Sequence, residues 1–158
     1  GSTLIPFETG LRGSNIFYTL DPVCALHHLG SPIEIEEVAR KFLHAPYLWG
    51  GRTVFGIDCS GFTQIVYKMN GIGIPKDAYQ QAEIGEPVQF VEDTRTGDLA
   101  FFDNEEGRIT HTGIILGKSE IIHASGEVRI DKFDHQGIFN EEDNAYSHKL
   151  RLIKRIIP

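Results

Sequence analysis

A cysteine and two histidines carry the chemistry that this sequence can offer. Cys59 lies in the run Tyr47-Leu-Trp-Gly-Gly-Arg-Thr-Val-Phe-Gly-Ile-Asp-Cys-Ser-Gly-Phe62, where a glycine-rich loop leads into an amphipathic stretch. His111 in Ile-Thr-His-Thr-Gly-Ile-Ile-Leu and His123 in Ile-Ile-His-Ala-Ser follow in strand-like segments. A thiolate attacks carbonyl carbon well, and the start of a helix, with its unpaired N–H groups, favours thiolate over thiol. A histidine brought alongside supplies the base, which is the working minimum of a cysteine hydrolase. The same N–H groups can hold the oxyanion of a tetrahedral intermediate. The plainer reading is a small buried residue at a helix start, against which the polar neighbours Asp58 and Ser60 argue.

If the hairpin after His111 turns symmetrically about Gly117, His111 and His123 face each other directly, since 111 + 123 = 2 × 117. Cross-strand partners of that kind touch. One ring then serves as base and the other orients it. Two unrelated histidines at a sheet end are the alternative. Asp58 is either a helix cap or a partner for a positive group on substrate. Tyr47 precedes the glycine pair, so its hydroxyl can reach the thiol or the scissile carbonyl; taken alone, Tyr47 and Trp49 are more commonly core aromatics. His27, His28, His44, His135 and His148 lack metal-ligand spacing, so neither metal nor cofactor is expected.

The elements that must position these groups follow from periodicity. Residues 3–30 carry many turn formers and read as an extended arm, with one short helix near Pro22–Leu29, or as a linker from an upstream domain. Ser31, Pro32 and Glu34 read as a capping box opening a helix that runs to about His44. Phe62, Ile65, Val66 and Met69 mark a second helix from Asp58 or Cys59 to Asn70. A short helix covers Asp77 to Glu83. The period then changes: residues 97–102, 109–116, 121–124, 128–130 and 150–156 read as strands. Residues 131–148 are polar and acidic and read as a long surface loop. Helices first and antiparallel strands second is an α+β pattern, with one domain over residues 31–158.

The chain has 158 residues, enough for a core of ordinary size. Its net charge is −7, and its only basic cluster, Lys149 to Arg155, lies on an alternating strand, so nucleic acid is not an expected partner. No apolar run reaches the roughly 20 residues of a membrane helix, so no membrane span is expected. Gly1-Ser2 reads as a cloning remnant, which leaves the compartment undefined by this end of the chain. Cys24 reads as an inert buried thiol, and a monomer is expected.

Taken together, Tyr47-x-Trp-Gly-Gly, Asp58-Cys-Ser-Gly-Phe62, Pro75-x-Asp-x-x-x-Gln81, Gly97-Asp-Leu-x-Phe-Phe102, His111-x-Gly-Ile and His123 resemble the NlpC/P60 cysteine peptidases over about residues 32–156. The resemblance implies a papain-like α+β core, with N-terminal helices packed on an antiparallel sheet. It implies Cys59 as nucleophile, His111 as base, His123 as the orienting third residue and Tyr47 as a hydroxyl beside the nucleophile. Peptidoglycan stem peptides are the implied substrates. The triplet Asp58-Cys59-Ser60 is similar to the branch that cleaves γ-D-glutamyl-diamino acid bonds in peptides with a free L-alanine amine, where it helps to hold that amine. That branch usually carries an SH3-like domain upstream, and its recycling role implies the bacterial cytoplasm rather than the periplasm or the medium. The alternatives are an endopeptidase on intact wall of the autolysin, lysin or toxin type, a binding module without catalysis, and an acyltransferase on a related core.

Overall fold

The computed structural model describes residues 11–13, 16–18, 32–117 and 119–157. Near the start, β1 (Leu11–Gly13) pairs antiparallel with β2 (Ile16–Tyr18). Ser31, Cys24 and the helix expected near residues 22–29 lie outside the described residues.

Helix α1 (Pro32–Arg40) begins with proline at the first helical position, where a missing N–H is tolerated. It buries Ile35 and Ala39 and carries a Glu36–Arg40 ion pair at 2.8 Å on its outer side. The helix stops at Arg40, and a turn of residues 41–44 occupies the end expected to be helical. A tight hairpin of β3 (Arg52–Thr53) and β4 (Gly56–Ile57) then delivers the chain to α2 (Cys59–Met69). Phe62, Ile65 and Val66 are buried at helical spacing, but Met69 is 42% exposed. Tyr67 takes the inward place instead: it is fully buried and its hydroxyl donates to the Gly97 carbonyl. The third helix is a single turn, α3 (Ala78–Gln81).

The second half is a barrel. Strands β6 (Leu99–Asp103), β7 (Ile109–Gly117), β8 (Glu120–Ser125) and β9 (Glu127–Phe133) form an antiparallel meander. Strand β10 (Gly137–Asn140) pairs with both β9 and β11 (Ala145–Arg155), and β11 returns to β6, which closes six strands into a ring. The short β5 (Glu86–Val88) adds to the edge of β11. Because side chains alternate along a strand, β6 feeds two cores at once. Leu99 and Phe101 face the helices, with Ile114, Ile122 and Ala124 against Phe62, Ile65 and Val66. Ala100 and Phe102 face the barrel interior, with Ile115, Ile121, Phe133, Ile138 and Ile153.

The α+β class and the antiparallel order agree with the expectation from sequence. The loop expected over residues 131–148 does not: most of it is the end of β9, all of β10 and the start of β11. Few positions in this stretch are buried (Asp131, Phe133, Gly137 and Ile138), Lys132 points outward, and the turn between β10 and β11 exposes Glu141 and Glu142, so the composition reads as loop.

Tyr67→Phe leaves the carbonyl of Gly97 without its buried donor. The variant should lose about 1–3 kcal/mol of stability in urea denaturation, with the fold retained by circular dichroism.

Candidate active site

Asp58 builds the start of α2. Its Oδ1 accepts from the backbone N–H of Gly61 at 2.6 Å and its Oδ2 accepts from that of Gly50 at 2.7 Å. One carboxylate thus caps the helix and pins the glycine loop to it. Ser60 Oγ lies 3.4 Å from the same Oδ1. A Cβ on Gly61 would run into the Gly51 carbonyl, so this close approach of loop and helix requires glycine. The first turn is also held from behind. Buried Gln81 donates Nε2 to the carbonyls of Ser60 (3.1 Å) and Pro75 (3.0 Å) and accepts from Thr63 Oγ1 (2.8 Å). The Pro75 to Gln81 motif is therefore a brace for the turn that carries Cys59.

Cys59 is a free thiol, 7% exposed. Its sulfur lies 3.9 Å from the carbonyl oxygen of Thr110, and the backbone N–H of Thr112 also reaches it. These two residues flank His111 on β7, so α2 docks the sulfur at the strand position that bears the histidine. Burial pushes the Cys59 thiol up, and Asp58 pushes it further the same way. The backbone N–H groups of Thr112, Ser60 and Cys59 pull it down, but not enough to offset burial. The thiol of the resting site is thus harder to ionise than a free one, contrary to what the helix start alone suggests.

His111 and His123 do meet, though not as directly opposed partners. The observed register pairs His123 with Gly113, and the strands shift between Ile115 and Gly117 at the turn. The two histidines are therefore diagonal neighbours on one face. They touch because position 113 has no side chain; a Cβ there would lie 2.9 Å from the His123 Cβ. His111 Nε2 and His123 Nδ1 are 2.8 Å apart, with ring planes at 88°. His123 Nε2 lies 2.9 Å from Oδ2 of Asp131 on β9. Burial holds the His111 imidazole well below its ordinary value, and His123 and His148 add to the shift.

His148 on β11 stacks on His111 with ring centroids 4.0 Å apart and planes at 27°. Its own pKa is pulled down to about 4, first by burial and then by His123, with Asp131 opposing. It stays neutral at physiological pH. Neither His148 nor Asp131 stood out in the sequence: no spacing links them to Cys59, and barrel closure alone brings β11 beside β7.

His111, His123 and His148 each offer a nitrogen within 4.8 Å of the others. A metal ion must lie close to the plane of every imidazole that binds it. Here the His148 ring lies on the face of His111, and His111 Nε2 is already engaged with His123 Nδ1. The trio packs and orients; it is not shaped as a metal centre.

Tyr47 is 37% exposed and Trp49 is 85% exposed, so neither is a core aromatic. Tyr47 feels both Cys59 and Asp58, which with burial raise its phenol. It borders a cleft of about 330 Å³ with His111, Gly126 and His148. On the far side of His148 lies a polar hollow of about 970 Å³ that shares Thr110 and His148 with the cleft. All six residues singled out for the site (Tyr47, Asp58, Cys59, Ser60, His111 and His123) thus gather at one place.

Comparison with known proteins gives a consistent picture. The model of the NlpC/P60 family matches residues 44–145. The gamma-D-glutamyl-L-lysine dipeptidyl-peptidase of Bacillus subtilis is 42% identical over 106 residues, which are 66% of this chain and 36% of that protein. Dipeptidyl-peptidase 6 of Lysinibacillus sphaericus is 32% identical over 151 residues, 90% of this chain and 53% of that protein. The crystal structure of an NlpC/P60 family protein from Bacillus cereus superposes with a TM-score of 0.72 at 29% identity, covering 94% of this chain and 47% of that one. The chain thus spans about a third to a half of the length of these relatives.

Asp58→Asn removes the negative charge that raises the Cys59 thiol; its one amide oxygen can still cap α2 by accepting from Gly61, at the cost of the acceptor for the Gly50 N–H. The pH midpoint of Cys59 alkylation by iodoacetamide should move down, with faster labelling at neutral pH than in the parent protein.

Proposed function

Because the chain belongs to the NlpC/P60 family, we propose that it is a cysteine peptidase that hydrolyses the bond between γ-D-glutamate and a diamino acid in peptidoglycan stem peptides. The observation that carries this reading is the docking of a capped helix-start cysteine on Thr110, the strand neighbour of His111 in a buried histidine pair. Two of the relatives above are named for dipeptidyl-peptidase activity.

In this reading Cys59 gives its proton to His111 and the sulfur attacks the γ-glutamyl carbonyl. The N–H groups at the start of α2 are the donors this reading assigns to the developing oxyanion. His111 then protonates the departing amine, and a water activated by the same ring cleaves the thioester. His123 orients His111. The burial that disfavours separated charge in the resting site strengthens every one of these interactions once substrate closes the cleft. Tyr47, which borders the cleft, lies close enough to Asp58 to feel its charge. An ammonium taken out of water needs a carboxylate beside it, and Asp58, with Ser60, supplies this for the free amine of an N-terminal L-alanine. The leaving diamino acid extends past His148 toward the polar hollow. The role is the recycling of wall fragments.

Mass spectrometry of products from L-Ala-γ-D-Glu-diaminopimelate, beside its N-acetylated copy, tests the reading. Release of L-Ala-D-Glu from the free-amine peptide alone, abolished by Cys59→Ala, is the expected result. Equal cleavage of both peptides would make the protein a general wall endopeptidase and remove the amine role from Asp58.

A further inference from the structure

We propose that Asp131, clamped by Arg129, is a positioning residue that sets which nitrogen of His111 is free to take the Cys59 proton. The inference rests on the assignment of Cys59 and His111 as nucleophile and base, but not on the identity of the substrate.

The argument is one of donors and acceptors. An ionised carboxylate only accepts. Burial by itself would raise the Asp131 carboxyl, but the bonds from His123 and Arg129 outweigh it and hold the group below the usual carboxylate range. Asp131 is therefore ionised at neutral pH, and His123 must donate Nε2–H to its Oδ2 across 2.9 Å. A neutral His123 then has its lone pair on Nδ1. That atom lies 2.8 Å from His111 Nε2, so His111 must donate Nε2–H in turn. The lone pair of neutral His111 is left on Nδ1, the nitrogen that His123 does not engage. When the S–H bond of Cys59 breaks, its electron pair stays on sulfur and the proton forms a new N–H bond at Nδ1. The resulting imidazolium is held by His123, which is backed by a full negative charge two strands away from the sulfur.

The anchor is rigid. The His123 side chain is 1% exposed and that of Asp131 7%. Arg129 stands directly opposite His123 in the strand register. Its Nη2 donates to Asp131 Oδ1 at 2.9 Å, and its Nε sits 2.8 Å from Oδ2, off the line that a hydrogen bond needs. Glu142 Oε2 lies 3.3 Å from Arg129 Nη1 on the outer side. The other titratable or charged groups around the histidine pair are Cys59 and Asp58 from α2 and its cap, Tyr47 from the preceding loop, and His148 from β11. Among these partners of the histidines, Asp131 is the one that fixes a proton on His123.

Asp131→Asn is isosteric and tests the idea. Its amide can turn to donate to His123 Nε2, which moves the His123 proton to Nδ1 and the His111 proton to Nδ1 as well, so the base faces the wrong way. Long-range ¹H–¹⁵N spectra of the parent protein should show His111 and His123 both protonated at Nε2. In Asp131→Asn the tautomers should invert, kcat should fall about tenfold to a hundredfold with KM unchanged, and the alkaline limb of kcat/KM should move to lower pH. Arg129→Lys should keep the parent tautomers. Cys59 alkylation against pH gives the same comparison without any peptide, so a wrong substrate does not obscure the outcome. A parent spectrum with His123 protonated at Nδ1 would overturn the proposal, whether or not the variant folds. So would a folded Asp131→Asn protein with unchanged tautomers and unchanged kcat.

Discussion

The site exists because the barrel closes. Strand β10 is only four residues long, yet it pairs on one side with β9 and on the other with β11. At its first residue, Gly137, a side chain would run into the carbonyl of His148, so the seam forms only with glycine there. Closure carries His148 from the far end of the chain onto the face of His111. Asp131 and Arg129 back His123 from β9, which pairs with β8 across a tight turn. An open sheet with the same β7–β8–β9 meander would still bear the histidine pair and Asp131, but not the ring stacked on His111.

Against this rigid wall the helical layer presents one group, the sulfur of Cys59. Its placement depends on two braces that involve no catalytic atom: the Asp58 carboxylate in front and the Gln81 amide behind. Burial works against charge on both partners, raising the thiol and lowering the His111 imidazole. Both shifts favour the neutral thiol and the neutral imidazole. In the proposed reaction, bound substrate and the relay through His123 supply the stabilisation that separated charge requires.

Much of this was legible in the sequence, and the limits are physical. Cys59 stood out because caps and glycine loops are local signals, written within a few residues of each other. The helix spacing of Phe62, Ile65 and Val66 and the apolar alternation of β6 to β8 are local as well. The two histidines were paired from hairpin symmetry about Gly117; they do meet, but two residues out of register, because the strands turn between Gly117 and Glu120 rather than at Gly117 itself. Residues 131–148 read as loop because they bury few side chains, and polar residues in the turns and on exposed strand positions outnumber them. Asp131 and His148 were lost with that segment: Asp131 reaches His123 from the next strand of the same hairpin, and the place of His148 is fixed by barrel closure, a contact between distant parts of the chain. Met69 and Tyr67 exchanged roles for a similar reason: only the barrel supplies the Gly97 carbonyl that makes a buried tyrosine worth its hydroxyl.

The central claim is that acyl transfer passes through Cys59, and covalent trapping tests it most directly. The protein would be mixed with L-Ala-γ-D-Glu-diaminopimelate, quenched in acid within a turnover and mapped by peptide mass spectrometry. The account predicts a thioester of L-Ala-γ-D-Glu on the peptide that contains Cys59, lost on treatment with hydroxylamine and absent from Cys59→Ala. Product formation with no acyl group on Cys59, together with continued turnover by Cys59→Ala, would contradict it.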